Sequence, residues 1–198
     1  ANVYFNLYKN FQTQIFVYSI DSTHHKGKML PGTNQSLANP SVSPTLWNPF
    51  TNVDGTVKSW GFNIGVSYNL WKSFSLGGNY TYTDFKAPDD LSYRDIAFNT
   101  PKHSFNVKIG ATDAFKNFGF DINYRWQNKF LWSSPFGLGN IASQGSLDAQ
   151  LNYTISKAMS IIKISGTNLA AKSYRTNYGS PFIGTTFLVT WIFDQSIR

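Results

Sequence analysis

The sequence has no cysteine and, although ten of its residues are acidic, no glutamate: every acid is an aspartate. Without thiols there is neither a disulfide framework nor a thiolate metal site. Glutamate is a good helix former, while Tyr, Phe, Trp and Thr favour strands, and aromatics alone make up 17% of the chain. Charge is scarce as well, at 14% of 198 residues, where a soluble domain carries about 25%. No apolar run approaches the ~18 residues of a membrane-crossing helix, which leaves only strands as a means of crossing. The net charge is +7, but the Lys and Arg residues stand singly, and without a basic run there is no nucleic-acid footprint. Catalytic signatures are missing too. There is no Gly-x-Ser-x-Gly, no phosphate-binding loop, no Cys nucleophile and no HExxH. No enzyme, catalytic residue, cofactor or metal is expected.

What is present is alternation, clearest between Val57 and Phe85. Trp60, Phe62, Ile64, Val66, Tyr68 and Leu70 share one parity; Gly61, Asn63, Gly65, Ser67 and Asn69 share the other. After Trp71-Lys72-Ser73 the pattern restarts, with Phe74, Leu76, Tyr80 and Tyr82 against Ser75, Gly77, Asn79, Thr81 and Thr83. Period two over two runs joined by a short polar break predicts a β-hairpin. One face is apolar and ends in aromatics; the other is small and hydrogen-bonding. That is the pattern of a strand with lipid on one side and a wet lumen on the other.

In chain order, alternation begins at once with Val3, Phe5 and Leu7. A break at Lys9-Asn10 predicts a turn into a second strand, FQTQIFVYSI, ending near Ile20. A Pro- and Asn-rich segment from Asp21 to about Thr56 is expected to be one long outer loop. After the hairpin and a loop from Asp84 to Lys102, a fifth strand runs over HSFNVKIGATD and a sixth from Phe118 toward Trp132. A loop over Ser133–Gly145, strands SLDAQLNYTIS and Ser160–Thr167, a loop over Asn168–Pro181 and a final strand at Phe187–Phe193 complete the pass. Four turns carry Lys two residues before a bulky apolar residue: Lys9/Phe11, Lys72/Phe74, Lys116/Phe118 and Lys157/Met159. They predict a common periplasmic rim, with the long loops at the other end. The in-strand charges Lys108, Asp121, Arg125, Asp148 and Lys163 all fall on the small polar parity, sparing each a cost of ~2–4 kcal/mol at mid-bilayer.

The expected fold is therefore all-β: an antiparallel up-and-down transmembrane β-barrel. Single-chain bacterial barrels have even strand counts, and an open sheet in lipid leaves unpaired edges. With about nine strands counted, residues 1–198 are expected to form a C-terminal portion of a larger outer-membrane barrel.

Three stretches then resemble the end of a TonB-dependent outer-membrane receptor. Gly77–Phe85 is similar to that family's strand ending in Tyr-Thr-Tyr-Thr. Asn99–Val107 resembles its Pro-x-His strand entry, through Pro101 and His103. From Ser165 the chain resembles the closing segment, through Asn168, Leu169, Tyr174, Tyr178, Gly179 and Pro181. It departs at the end, where Phe193 is followed by five more residues. The resemblance implies a bacterial outer-membrane receptor that takes up a scarce solute (a glycan, peptide or siderophore-like compound) through a barrel of about 22 strands. Its implied partners are outer-membrane lipid, earlier barrel strands, a plug domain, the inner-membrane energy-coupling complex acting through the plug, and a surface lipoprotein or other envelope subunits. Nucleic acid is not among them. A passive porin or structural barrel shares the same alternation, and a soluble β-sandwich adhesin would bury the aromatic face internally.

Solute recognition supplies the candidate site. Trp47, Tyr93 and Trp132, with Phe50, Phe98 and Phe136, are expected in outer loops, where rings stack on sugars or catechols or line the interfacial girdle. Asn79, Asp121, Arg125 and Gln150 are expected on the lumen side, to hydrogen-bond solute, plug or water. His24-His25 with Asp21 read as solvated loop, since adjacent side chains diverge. Asp84, Asp89, Asp90 and Asp95 crowd one loop without the spacing of a calcium site and read as turn formers.

Overall fold

The computed structural model describes residues 1–14, 17–19, 30–31, 45–47, 50–52, 55–70, 73–88, 98–134, 137–169 and 173–196. In chain order the strands are β1 (Asn2–Lys9), β2 (Gln12–Gln14), β3 (Val17–Ser19), β4 (Leu30–Pro31), β5 (Thr45–Trp47), β6 (Phe50–Asn52) and β7 (Thr56–Asn69). They continue with β8 (Phe74–Lys86), β9 (His103–Phe115), β10 (Phe118–Gln127), β11 (Phe130–Ser134), β12 (Gly137–Ile141), β13 (Gln144–Ile155), β14 (Ser160–Thr167) and β15 (Thr186–Phe193). Among the described residues a single 3-10 turn, Ser156–Ala158, interrupts them and no α-helix occurs.

Eight strands form one antiparallel meander in the order β1-β7-β8-β9-β10-β13-β14-β15. The register carries parity from strand to strand. Ile64 faces Tyr80, Leu76 faces Ile109, Ile109 faces Ile122, Leu151 faces Ile164 and Ile164 faces Val189. One face is thus apolar through the middle of the sheet, with Lys58, Asp84 and Lys86 on it at the loop end, and no second sheet covers it among the described residues. Val66 is 67% exposed and Trp191 75%, while among the described residues the buried apolar ones are only Val57, Ala111 and Ile141. A monomeric soluble protein rarely leaves such a patch uncovered, whereas a single-layer wall in lipid has its core outside itself.

The start of the chain differs from the expectation. Lys9-Asn10 is not a turn. Asn10 takes a left-handed φ of 53°, and the pairing passes from Lys9↔Thr56 to Gln12↔Asn52 and on to Val17↔Trp47. Two residues on one arm oppose three on the other, so the chain carries an irregularity and continues in the same direction. The first two expected strands are one long arm, and the main sheet has eight strands rather than nine. Lys9 consequently lies at the loop end, away from the Lys-bearing turns. The expected loop from Asp21 to Thr56 likewise contains β5 and β6, which extend the hairpin beyond β7. Similarly, β11 begins in the expected sixth strand and runs into the expected loop Ser133–Gly145, where it pairs with β12 through Ser133↔Leu138 and lengthens the β10–β13 hairpin.

The segregation of connections holds where they are described. Short connections join β7–β8, β9–β10 and β13–β14 at one end. Those joining β8–β9, β10–β13 and β14–β15 lie at the other end, as does the hairpin extension beyond β7. Strands β1 and β15 are the edges of the meander and are not hydrogen-bonded to each other.

Candidate functional site

The polar face is a network of amides, hydroxyls and paired charges. Tyr4 donates its hydroxyl to Thr83 Oγ1 at 3.0 Å, and Asn63 Nδ2 donates to Thr81 Oγ1 at 2.6 Å. Asn106 Nδ2 donates to Asn123 Oδ1 at 2.7 Å. Lys108 pairs with Asp121 at 3.0 Å, and Arg125 Nη2 with Asp148 Oδ2 at 2.8 Å. Asp148 also accepts from the Ser146 hydroxyl and the Asn168 backbone N–H, each at 3.0 Å. It therefore ties strand β13 both to Arg125 and to the chain leaving β14. The five charges singled out by parity lie on this face, as expected, whereas Lys58, Asp84 and Lys86, which the structure also places within β7 and β8, lie on the other. Lys163, opposite Asn152, has no ion-pair partner among the described residues.

Two hollows open mainly on this face. The one nearer the loops holds about 300 Å³ and is lined by Asn79, Ser104, Asn106, Arg125, Gln127, Gln144, Ser146, Tyr174 and Thr176, with Phe105, Trp126 and Gly145 at its border. The one nearer the turns holds about 430 Å³ and includes Ser75, Lys108, Asp121, Gln150, Asn152 and Lys163. The first presents Arg125, itself held by Asp148, among amides and hydroxyls, a set suited to hydrogen-bonding a polar solute. The second contains two lysines and one carboxylate.

Four of the seven sequence-derived candidates thus fall into these hollows: Asn79 and Arg125 in the upper, Asp121 and Gln150 in the lower. Of the aromatic candidates, Trp132 lines neither hollow. Trp132 stands in β11 with its ring 6.4 Å from that of Phe130, and Trp47 is in β5. Phe98 stacks on Phe85 at 4.5 Å, in a small cluster with Phe11, Ala87 and buried Val57. Tyr93 and Phe136 lie outside the described residues, as do Asp21, His24, His25, Asp89, Asp90 and Asp95. Asp84 is engaged by Lys102 at 2.6 Å, the Tyr82 hydroxyl at 2.9 Å and the Phe85 N–H at 3.0 Å. The bond to Asp84 holds the Lys102 ammonium above its ordinary value. Asn106, Gln127 and Ser146 were within reach of the parity argument that found Asn79, whereas Gln144 fell in the expected loop Ser133–Gly145. Tyr174 and Thr176 were not, because they arrive from the β14–β15 connection, folded back through the Tyr174↔Ile183 bridge.

The opposite face carries an aromatic belt toward the loop end. Phe62 stacks on Tyr82 at 5.6 Å, Tyr82 lies 5.3 Å from His103, and Phe105 stacks on Trp126 at 5.5 Å. The Tyr80 hydroxyl is 2.7 Å from His103 Nδ1. Aromatic rings with one polar edge suit the level of lipid headgroups.

With this geometry in place, comparison with known proteins gives three findings. Residues 1–169 match the family model described as TonB dependent receptor-like, beta-barrel. Two of the three resembling stretches lie inside that match. No curated protein matches in sequence. Among solved structures, the chain is similar to FpvA of P. aeruginosa in a complex with a heterologous pyoverdine and iron, at 15% identity and a TM-score of 0.57, covering 77% of this chain and 21% of that one. It is also similar to FpvAI in its complex with pyocin S2, at 14% identity and a TM-score of 0.58, covering 96% and 24%. The chain therefore spans less than a quarter of the length of these neighbours.

Proposed function

Because the chain belongs to the TonB-dependent receptor-like β-barrel family, we propose that it forms part of the barrel wall of a bacterial outer-membrane receptor. Its apolar face meets outer-membrane lipid. Its polar face lines the passage through which a scarce solute enters when the inner-membrane complex acts on a plug. The observation that carries this reading is the division of the sheet. Five charges, four of them in pairs at 2.8 and 3.0 Å, lie on one face, while exposed Val, Ile and aromatic residues fill the middle of the other, which carries Lys58, Asp84 and Lys86 only at its loop end. Edge strands in hydrocarbon leave backbone groups unpaired at several kcal/mol each, so β1 and β15 would pair with further strands of the complete barrel. The neighbours' complexes, one with an iron-loaded pyoverdine and one with a pyocin, favour siderophore-like solutes among the classes considered and make the outer mouth a candidate protein-binding surface as well.

Asn79 and Arg125 are proposed to meet the solute in the upper hollow, with Asp121 and Gln150 marking the path below. The test is uptake by cells carrying the full-length receptor. Uptake should vanish on collapse of the inner-membrane energy supply, and Arg125→Ala should lower solute affinity by about tenfold through loss of a charge-assisted hydrogen bond. Energy-independent, non-saturable flux would instead identify a passive porin.

A further inference from the structure

The outward face at the loop end of β1, β7 and β8 changes character over three successive cross-strand rows. The first is Val3, Phe62 and Tyr82, all apolar or aromatic. The second is Phe5, Trp60 and Asp84; the third is Leu7, Lys58 and Lys86. Lys9 stands one row further out on the same parity. The transition from rings to ammonium groups within two rows marks the level where hydrocarbon gives way to headgroups.

Lys58 and Lys86 are direct cross-strand partners, and both are exposed. Like charges facing each other across an antiparallel pair are destabilising. Among the described residues, the carboxylate one row away on this face, Asp84, is already engaged by Lys102 at 2.6 Å, with Lys102 also over the Tyr82 ring at 5.6 Å. No acidic residue among those described pairs with Lys58 or Lys86. We propose that Lys58 and Lys86 form a site for the phosphate of an anionic membrane lipid, held in the outward leaflet with its acyl chains along Trp60, Phe62 and Tyr82. A phosphate between the two ammonium groups turns their repulsion into two attractions. The belt below supplies an apolar wall of matching depth. This site is on the face opposite both hollows, so it is not a solute subsite. It rests on the lipid-facing reading of this face and is independent of which solute the receptor takes up.

The test uses the full-length receptor in nanodiscs of phosphatidylcholine containing phosphatidylglycerol as the probe, with retained lipid counted by native mass spectrometry. The wild type is expected to retain phosphatidylglycerol preferentially. Each lysine near an anionic surface contributes about fivefold, so the double variant Lys58→Ala/Lys86→Ala should retain it on the order of 30-fold less. Lys58→Arg/Lys86→Arg should restore retention, and solute uptake should be unchanged in all three. A second measurement needs no variant: the unfolding temperature of the wild type should rise with added phosphatidylglycerol and stay constant with inorganic phosphate alone. Equal retention by the alanine variant would overturn the proposal. So would equal stabilisation by free phosphate, which would remove the lipid as the source.

Discussion

Ile64 and Asn63 adjoin in sequence and meet different surroundings. Ile64, near the middle of β7, is 49% exposed on the apolar face, between Tyr80 and the end of a run of valine, tyrosine and leucine. Asn63 points the other way and donates to Thr81 across the sheet. An arginine at Ile64 would place a cation in hydrocarbon, at ~2–4 kcal/mol near the midplane. At Asn63 it would meet water and lose one hydrogen bond, worth about 1 kcal/mol. Ile64→Arg should therefore lower the folded fraction in a lipid-insertion assay, read by heat-modifiable gel mobility, much more than Asn63→Arg. Equal losses would mean that the two side chains share an environment.

At the level of elements, alternation was legible because a single-layer wall between lipid and water imposes it on every strand, free of the compromises of a packed core. Hence the long strands β7 to β10, β13 and β14, and the facing of Lys108, Asp121 and Arg125, followed from parity alone. A parity break, however, has two physical causes. A turn and a bulge both reset it, and only the partner strand distinguishes them. Asn10 at φ 53° and Asn117 at φ 67° are the same residue type in the same left-handed region, yet one sits within a continuing arm and the other in the β9–β10 turn. Strand β12 was illegible for another reason. Its sequence GLGNI reads as loop, but Gly139 is needed because a Cβ there would meet the ring of Tyr178. The upper hollow was half visible for the same cause, since Tyr174 and Thr176 reach it through long-range folding. The sidedness of the correction at Lys9 is testable, since the sequence offers no cysteine of its own. Lys9→Cys and Lys86→Cys should react with a membrane-impermeant maleimide on intact cells, whereas Lys116→Cys and Lys157→Cys should react only after the outer membrane is opened. Protection of Lys9→Cys together with Lys116→Cys would restore it to the turn rim.

At the largest scale, the described residues form a wall: one antiparallel meander of eight strands with two different faces, bounded by β1 and β15. Its fold agrees with barrel neighbours of about 15% identity, because what the architecture demands is a pattern of facing rather than particular residues. The most direct test of that central claim is to measure the environment of consecutive positions along β7. Spin labels placed singly on cysteines from Trp60→Cys to Asn69→Cys, in the full-length receptor in lipid, report collisions with oxygen, which concentrates in hydrocarbon, and with a polar nickel chelate, which stays in water. The predicted result is an oscillation of period two. Oxygen should win at positions 60, 62, 64, 66 and 68, and the chelate at 61, 63, 65, 67 and 69. A profile without alternation, or one with the chelate winning at 62, 64 and 66, would contradict the lipid-facing wall.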